Sequence, residues 1–174
     1  MIAHGTFIAP GTAYDTKRVE GHAYPAFHSP SFHAHAVDLS VDEETGEVTI
    51  HKYVVAQDVG FALNPTYIEG QIEGGVAQGI GWSLYENVVW RDGRMANGQM
   101  TNYIMPTSAD LPPIRVHFFE NPYAGGPGGA KGIGELPMDG PAPAILNAIE
   151  HATGVSFDHV PLTPETLMDS LTPE

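Results

Sequence analysis

The chain has 174 residues, with seven Lys and Arg set against 21 Asp and Glu, and a formal charge of −14. So few basic groups exclude a nucleic-acid partner, whose phosphates call for clustered Lys and Arg. The absence of cysteine excludes disulfides, thiolate metal sites and iron–sulfur ligation by this chain itself. The length suits one domain or a domain and a half, and no apolar run approaches the roughly 18 residues of a membrane-spanning helix. Met1–Gly5 carries neither the basic nor the apolar region of a signal peptide, so the expectation is a cytoplasmic protein without a membrane partner.

Residues 1–31 are broken by Pro10, Pro25 and Pro30 and lack periodicity, which predicts an irregular segment lying against a partner or further sequence; residues 32–174 form the remaining unit. Phe32–Val41 suits a strand, Asp42-Glu43-Glu44-Thr45-Gly46 a turn, and Glu47–Asp58 the returning strand of a hairpin. Asn64-Pro65 reads as an N-cap with Pro at the first helical position. It opens a helix to about Tyr85, with Ile68, Ile72, Val76, Ile80 and Leu84 at i, i+4 spacing. That helix holds Gly70, Gly74, Gly75, Gly79 and Gly81, each unfavourable by roughly 1 kcal/mol against Ala. Gly70, Gly74 and Gly81 are expected to form a stripe open to another backbone or a ligand. The interleaved Glu69, Gln71, Glu73 and Gln78 rule out a membrane dimer motif. Asn87–Trp90 and the turn Arg91-Asp92-Gly93 suggest a second hairpin. Ile114–Phe119 reads as a strand, Ala142–Ala152 as a helix ended by Gly154, and Thr163-Pro164-Glu165 as the start of a short last helix. The fold class expected is α+β, hairpin strands packed with a long Gly-rich helix.

The densest chemical signal is Gly125–Pro137, with six glycines between positions 125 and 134, ended by Glu135. Lys131 lacks the Gly before it and the Ser or Thr after it that a P-loop needs, and no G-x-G-x-x-G fits. The run suits either a flexible linker or a loop brought close to a ligand. The non-repetitive Ala130, Lys131, Ile133, Glu135 and Leu136 speak for the ligand. Glu135 is then a candidate base, its pKa raised by burial beside Ile133 and Leu136. Gln71 and Gln78 share a helix face and are either solvent-facing or amides offered to a heterocycle or phosphate. His33 and His35 point to one strand face at metal-ligand distance, without a third ligand nearby. Asp58 reads as a capping or salt-bridging residue.

Four motifs taken in order resemble the xanthine dehydrogenase / aldehyde oxidase family, in the C-terminal part of its molybdenum-binding large subunit. They are Asp58–Pro65 (DVGFALNP), Gly70–Gly81 (GQIEGGVAQGIG), Gly129–Glu135 (GAKGIGE) and Ala142–Ile149 (APAILNAI). The resemblance implies the last portion of the second molybdopterin-binding domain. It also implies a molybdenum hydroxylase acting on aldehydes or N-heterocycles with water as the oxygen source. Glu135 matches the base that acts toward Mo–OH, Gln71 a residue that contacts the pterin, and Gly132 and Gly134 the loop along the cofactor. The cofactor implied is molybdenum–pterin (molybdopterin, or its cytosine dinucleotide form), with no metal ligand supplied by this chain. [2Fe–2S] and FAD are expected on partner chains, alongside the other portion of the molybdenum subunit. A non-catalytic fragment and a carbon-monoxide-dehydrogenase-like piece are the alternative readings. Because most of the cofactor's contacts lie upstream in the family, the chain alone is expected to bind cofactor poorly.

Overall fold

The computed structural model describes residues 29–171. The expected irregular segment 1–31 therefore falls outside the described residues except for Ser29–Ser31. Strands β1 (His33–Val41) and β2 (Val48–Asp58) form the expected hairpin, with a bulge at Asp38/Leu39. Asp42 Oδ1 accepts from the N–H groups of Glu44 and Thr45 across the turn. Gly46 closes that turn at φ +72°, and a Cβ there would strike the carbonyl of Pro164. One face of the hairpin, with Val37, Leu39, Tyr53 and Val55, packs into the core.

Helix α1 (Pro65–Leu84) starts as its caps predict, with Asn64 Oδ1 accepting from Tyr67 N at 3.2 Å. Ile72, Val76, Ile80 and Leu84 are buried along one face and Ile68 partly so. Burying such side chains contributes about 1.5–3 kcal/mol each. Four of them together outweigh the five glycine penalties of about 1 kcal/mol, so tertiary packing is what holds this helix.

The chain's own close approach falls mainly on glycines outside the expected stripe, which stays open at Gly70 and Gly74. Cβ atoms at Gly70 and Gly74 would meet nothing within 4 Å, whereas at Gly75 one would sit 2.8 Å from Pro137 Cβ and at Gly79 2.5 Å from Pro141 Cγ. The proline-rich turn Leu136–Met138 and the start of α2 (Pro141–Thr153) lie on this second pair. Gly81 is crowded too, by Glu86 and Pro106. Gly154 ends α2 in the left-handed region at φ +76°, as its position predicts.

The second hairpin is shorter than expected and shifted: β3 (Trp90–Arg91) and β4 (Arg94–Met95) flank a tight Asp92-Gly93 turn with φ of 50° and 73°. Strand β5 (Ile114–Phe119) then adds to β2 in parallel, giving the order β1-β2-β5. Helix α3 (Pro164–Leu171) follows Thr163, whose Oγ1 accepts from Thr166 N at 3.4 Å, and Leu167 anchors it in the core. Among the described residues no helix is long and apolar enough to cross a membrane.

Candidate functional site

Parallel pairing sets β2 and β5 running the same way, so the segments that follow them, from Val59 and from Glu120, leave the sheet at one end. The first leads through Asn64 into α1; the second becomes the glycine loop. The two are strapped together. Lys131 N donates to Val59 O at 3.2 Å, Phe61 N to Gly129 O at 2.9 Å, and Gly60 and Ala130 form an antiparallel bridge. Gly60 has φ +67°, and a Cβ on it would lie 2.6 Å from Gly129 O and Lys131 N. No other residue would let the loop come so near.

Between these segments and the first turns of α1 opens a cleft of about 380 Å3, lined by Leu63, Tyr67, Ile68, Gln71, Ile133 and Gly134 among others. Its rim is apolar yet uncovered, with Leu63 63% and Tyr67 79% exposed. Gln71 Nε2 donates to Gly134 O at 2.5 Å and so ties the helix to the loop. Cβ atoms at Gly132 and Gly134 would meet nothing within 4 Å, leaving a bare strip of backbone facing outward.

Of the site residues expected from sequence, Gln71 and Gly134 meet at the cleft, while Gly132 and Glu135 stand next to it without lining it. Glu135 corrects one expectation: it is exposed, not buried. It begins the Leu136–Met138 turn, whose buried side chain is Pro137, so the inner face of that turn is taken and the carboxylate is left outside. Ile133 packs against the core instead of covering Glu135. Gln78 is exposed and lines no part of the cleft.

Behind the loop lies a group only half foreseen. Asp58 does form a salt bridge, to Lys131 at 2.6 Å, and the two side chains are 0% and 5% exposed. Burial pushes the Asp58 carboxyl up, but the Lys131 ammonium, the Gly60 N–H and the Asn121 side chain together hold it below its ordinary value. No local pattern points from Asp58 to Lys131; only the bridge between Gly60 and Ala130 brings them together.

His33 and His35 do share a strand face, but in a hydrogen-bonded chain. His33 Nδ1 lies 2.8 Å from His35 Nε2, and His35 Nδ1 lies 2.8 Å from the Tyr53 hydroxyl. Burial, with a smaller contribution from His33, lowers the His35 pKa to about 4. A neutral imidazole accepts at one nitrogen and donates at the other, so both nitrogens of His35 are engaged. Burial likewise raises the Tyr53 hydroxyl above its ordinary value. Among the described residues no group of three His, Asp or Glu side chains is placed to hold a metal ion.

The sequence profile of the molybdopterin cofactor-binding domain matches residues 1–112. The xanthine dehydrogenase molybdenum-binding subunit of Escherichia coli O157:H7 is 39% identical over 142 residues, covering 80% of this chain and 19% of that protein. The crystal structure of quinoline 2-oxidoreductase from Pseudomonas putida 86 superposes with a TM-score of 0.73 at 35% identity, covering 79% of this chain and 18% of the other. Carbon monoxide dehydrogenase from Oligotropha carboxidovorans matches with a TM-score of 0.73 at 24% identity, over 80% of this chain and 18% of that one, and shares the fold. The chain thus spans less than a quarter of the length of these relatives. It belongs to the molybdopterin cofactor-binding domain family, as a piece similar to the molybdenum-binding subunits of xanthine dehydrogenases and aldehyde oxidoreductases.

Proposed function

We propose that this chain forms one wall of the cofactor site of a molybdenum hydroxylase, in which Glu135 is the proton-accepting base. Gln71, Gly132 and Gly134 face the molybdenum–pterin cofactor in this reading. The observation that carries it is the Gln71–Gly134 hydrogen bond, which joins the helix motif and the glycine loop at the mouth of one cleft. The residues present fit a pterin: a flat, polar ring system needs backbone unobstructed by side chains and amides that both donate and accept. The open strip at Gly132 and Gly134 offers the first, and Gln71 the second.

When bound, such a cofactor supplies the redox centre at which a substrate carbon is oxidised. The rest falls to this chain and to the surfaces that complete the cleft. Gln71 holds the loop at Gly134 and keeps its Oε1 available as an acceptor. Glu135, one residue beyond that tie, takes up a proton at its carboxylate as an oxygen from water is delivered to substrate. In the free chain the carboxylate is exposed; a bound cofactor and the rest of the subunit would exclude water from it. The substrate class is an aldehyde or an electron-poor N-heterocycle. Electrons leave through iron–sulfur and flavin groups on partner subunits.

The test is Glu135→Gln in the enzyme reconstituted with the remaining molybdenum subunit. Turnover is expected to fall by roughly 10²–10⁴-fold, the range for a general base, with molybdenum content unchanged. Undiminished turnover removes the assignment, and leaves a domain that keeps the fold without supplying the base.

A further inference from the structure

The glycine loop presents Gly132, Gly134 and Glu135 with almost nothing packed on them beyond the Gln71–Gly134 hydrogen bond, so a further contact must help fix where they stand. Cβ atoms at Gly132 and Gly134 would find open space, and glycine is the residue least able to hold a conformation by itself. The loop is held from behind at Lys131. Its side chain crosses Gly60, where a Cβ would lie 2.9 Å from Lys131 Cγ, and ends on Asp58 Oδ2 at 2.6 Å. Lys131 Nζ also donates to Pro30 O at 3.2 Å. The other Asp58 oxygen accepts from Gly60 N at 3.0 Å. Both charges are thus removed from water and paired with polar partners from three separate segments: the end of β2, the residues before β1 and the glycine loop.

We propose that the Asp58–Lys131 ion pair is a positioning pin, which sets the glycine loop against α1 and thereby fixes Gly134 and Glu135 relative to Gln71. Asp58 lies outside the cleft, and Lys131, though it borders the cleft, turns its side chain back to Asp58 with 5% exposed; the pair acts through the backbone that joins Lys131 to Gly134. The pin stands on geometry alone, while its bearing on turnover rests on the reading of Glu135 given above.

A buried ion pair has a property that separates a pin from mere ballast. Removing one partner strands a buried charge and destabilises the fold, whereas replacing both by neutral groups of similar shape is often tolerated. Directional anchoring, however, is lost in both cases. Hydrogen exchange on the full chain, read by mass spectrometry, compares peptides from residues 123–136 with peptides from β2 and α2 in the same sample. In Lys131→Met and in the double variant Asp58→Asn/Lys131→Met, the loop amides are expected to exchange roughly tenfold or more faster, and in the double variant those of β2 and α2 keep their protection. The double variant is expected to regain most of the thermal stability that the single variant loses, yet keep the fast loop.

Loop exchange that returns to the parent rate in the double variant overturns the proposal, as does acceleration spread evenly over loop and core. The reconstituted enzyme carrying the double variant then gives a second reading. A fall in kcat with KM retained joins the pin to the base. A loosened loop with unchanged kcat upholds the pin and refutes the role of Glu135.

Discussion

An alanine at position 79 or 75 adds one methyl group to α1 where the chain has left no room for it. At Gly79 the new Cβ would lie 2.5 Å from Pro141 Cγ and 3.1 Å from Met138 O, and at Gly75 2.8 Å from Pro137 Cβ. Ordinary carbon contacts lie at about 3.5–4.0 Å, so the Leu136–Met138 turn and the start of α2 must retreat by about 0.7–1 Å. Overpacking of this kind typically costs about 1–3 kcal/mol, while the better helix former returns about 1 kcal/mol. The net loss is then about 1 kcal/mol at each position. At Gly70 and Gly74 the same methyl meets nothing within 4 Å, and only the gain of about 1 kcal/mol remains. Gly75→Ala/Gly79→Ala and Gly70→Ala/Gly74→Ala are thus chemically the same change with opposite expected signs, separated by roughly 4 kcal/mol in all. In thermal unfolding of a chain this size, that corresponds to a spread of roughly 8–16 °C between the two double variants. Shifts in the same direction for both pairs would refute the argument that packing against Pro137 and Pro141 divides the two stripes.

The histidine chain makes stability depend on pH. The His35 pKa lies near 4 in the fold against 6.5 for a free imidazole, so the unfolded chain takes up the proton first. Stability is complete above pH 6.5 and is expected to fall as pH drops toward 4; the full shift corresponds to about 3 kcal/mol, and solvent access to the half-buried ring reduces this to about 2. Urea midpoints of the parent and His35→Gln should diverge between pH 6.5 and 5, and parallel profiles would contradict the assignment. Cofactor retention is a separate check: the cleft is open and its apolar rim uncovered, so the purified chain without its remaining subunit is expected to hold much less than one molybdenum and one pterin per chain. Stoichiometric cofactor in the lone chain would show that this wall suffices.

Much of the local structure was legible because its signals are carried by neighbouring residues. Asn64-Pro65, Gly154 and Thr163-Pro164 mark helix ends by their own backbone chemistry, and the β1–β2 hairpin announces itself through alternation and an Asp-to-Gly turn. What escaped were choices made between distant segments. Ile114–Phe119 alternates in a way that suits either direction of pairing, and only the fold makes it parallel to β2. The spacing in α1 pointed to Gly70, Gly74 and Gly81, and only the placement of Pro137 and Pro141 shows that Gly75 and Gly79 also carry close packing. At the site, Gln71 and the glycine loop were identifiable by resemblance. The partner of Asp58 was not, because Lys131 is brought to it by the Gly60–Ala130 bridge and by no pattern along the chain. The burial of Glu135 was misjudged for a related reason: Ile133 and Pro137 turn inward and leave the side chain between them outside.

The parallel union of β2 and β5 has a mechanical consequence. Everything between α1 and β5, residues 85–113 with the small β3–β4 hairpin, departs and returns without setting the distance between the Val59 and Glu120 segments, because the sheet has already set it. The exposed middle of that excursion, around β3 and β4, can lengthen, shorten or change its surface, while Tyr85, Pro106 and Leu111 stay packed at its two ends. The two edges of the cleft would keep their spacing, like a door frame indifferent to the length of the corridor beside it.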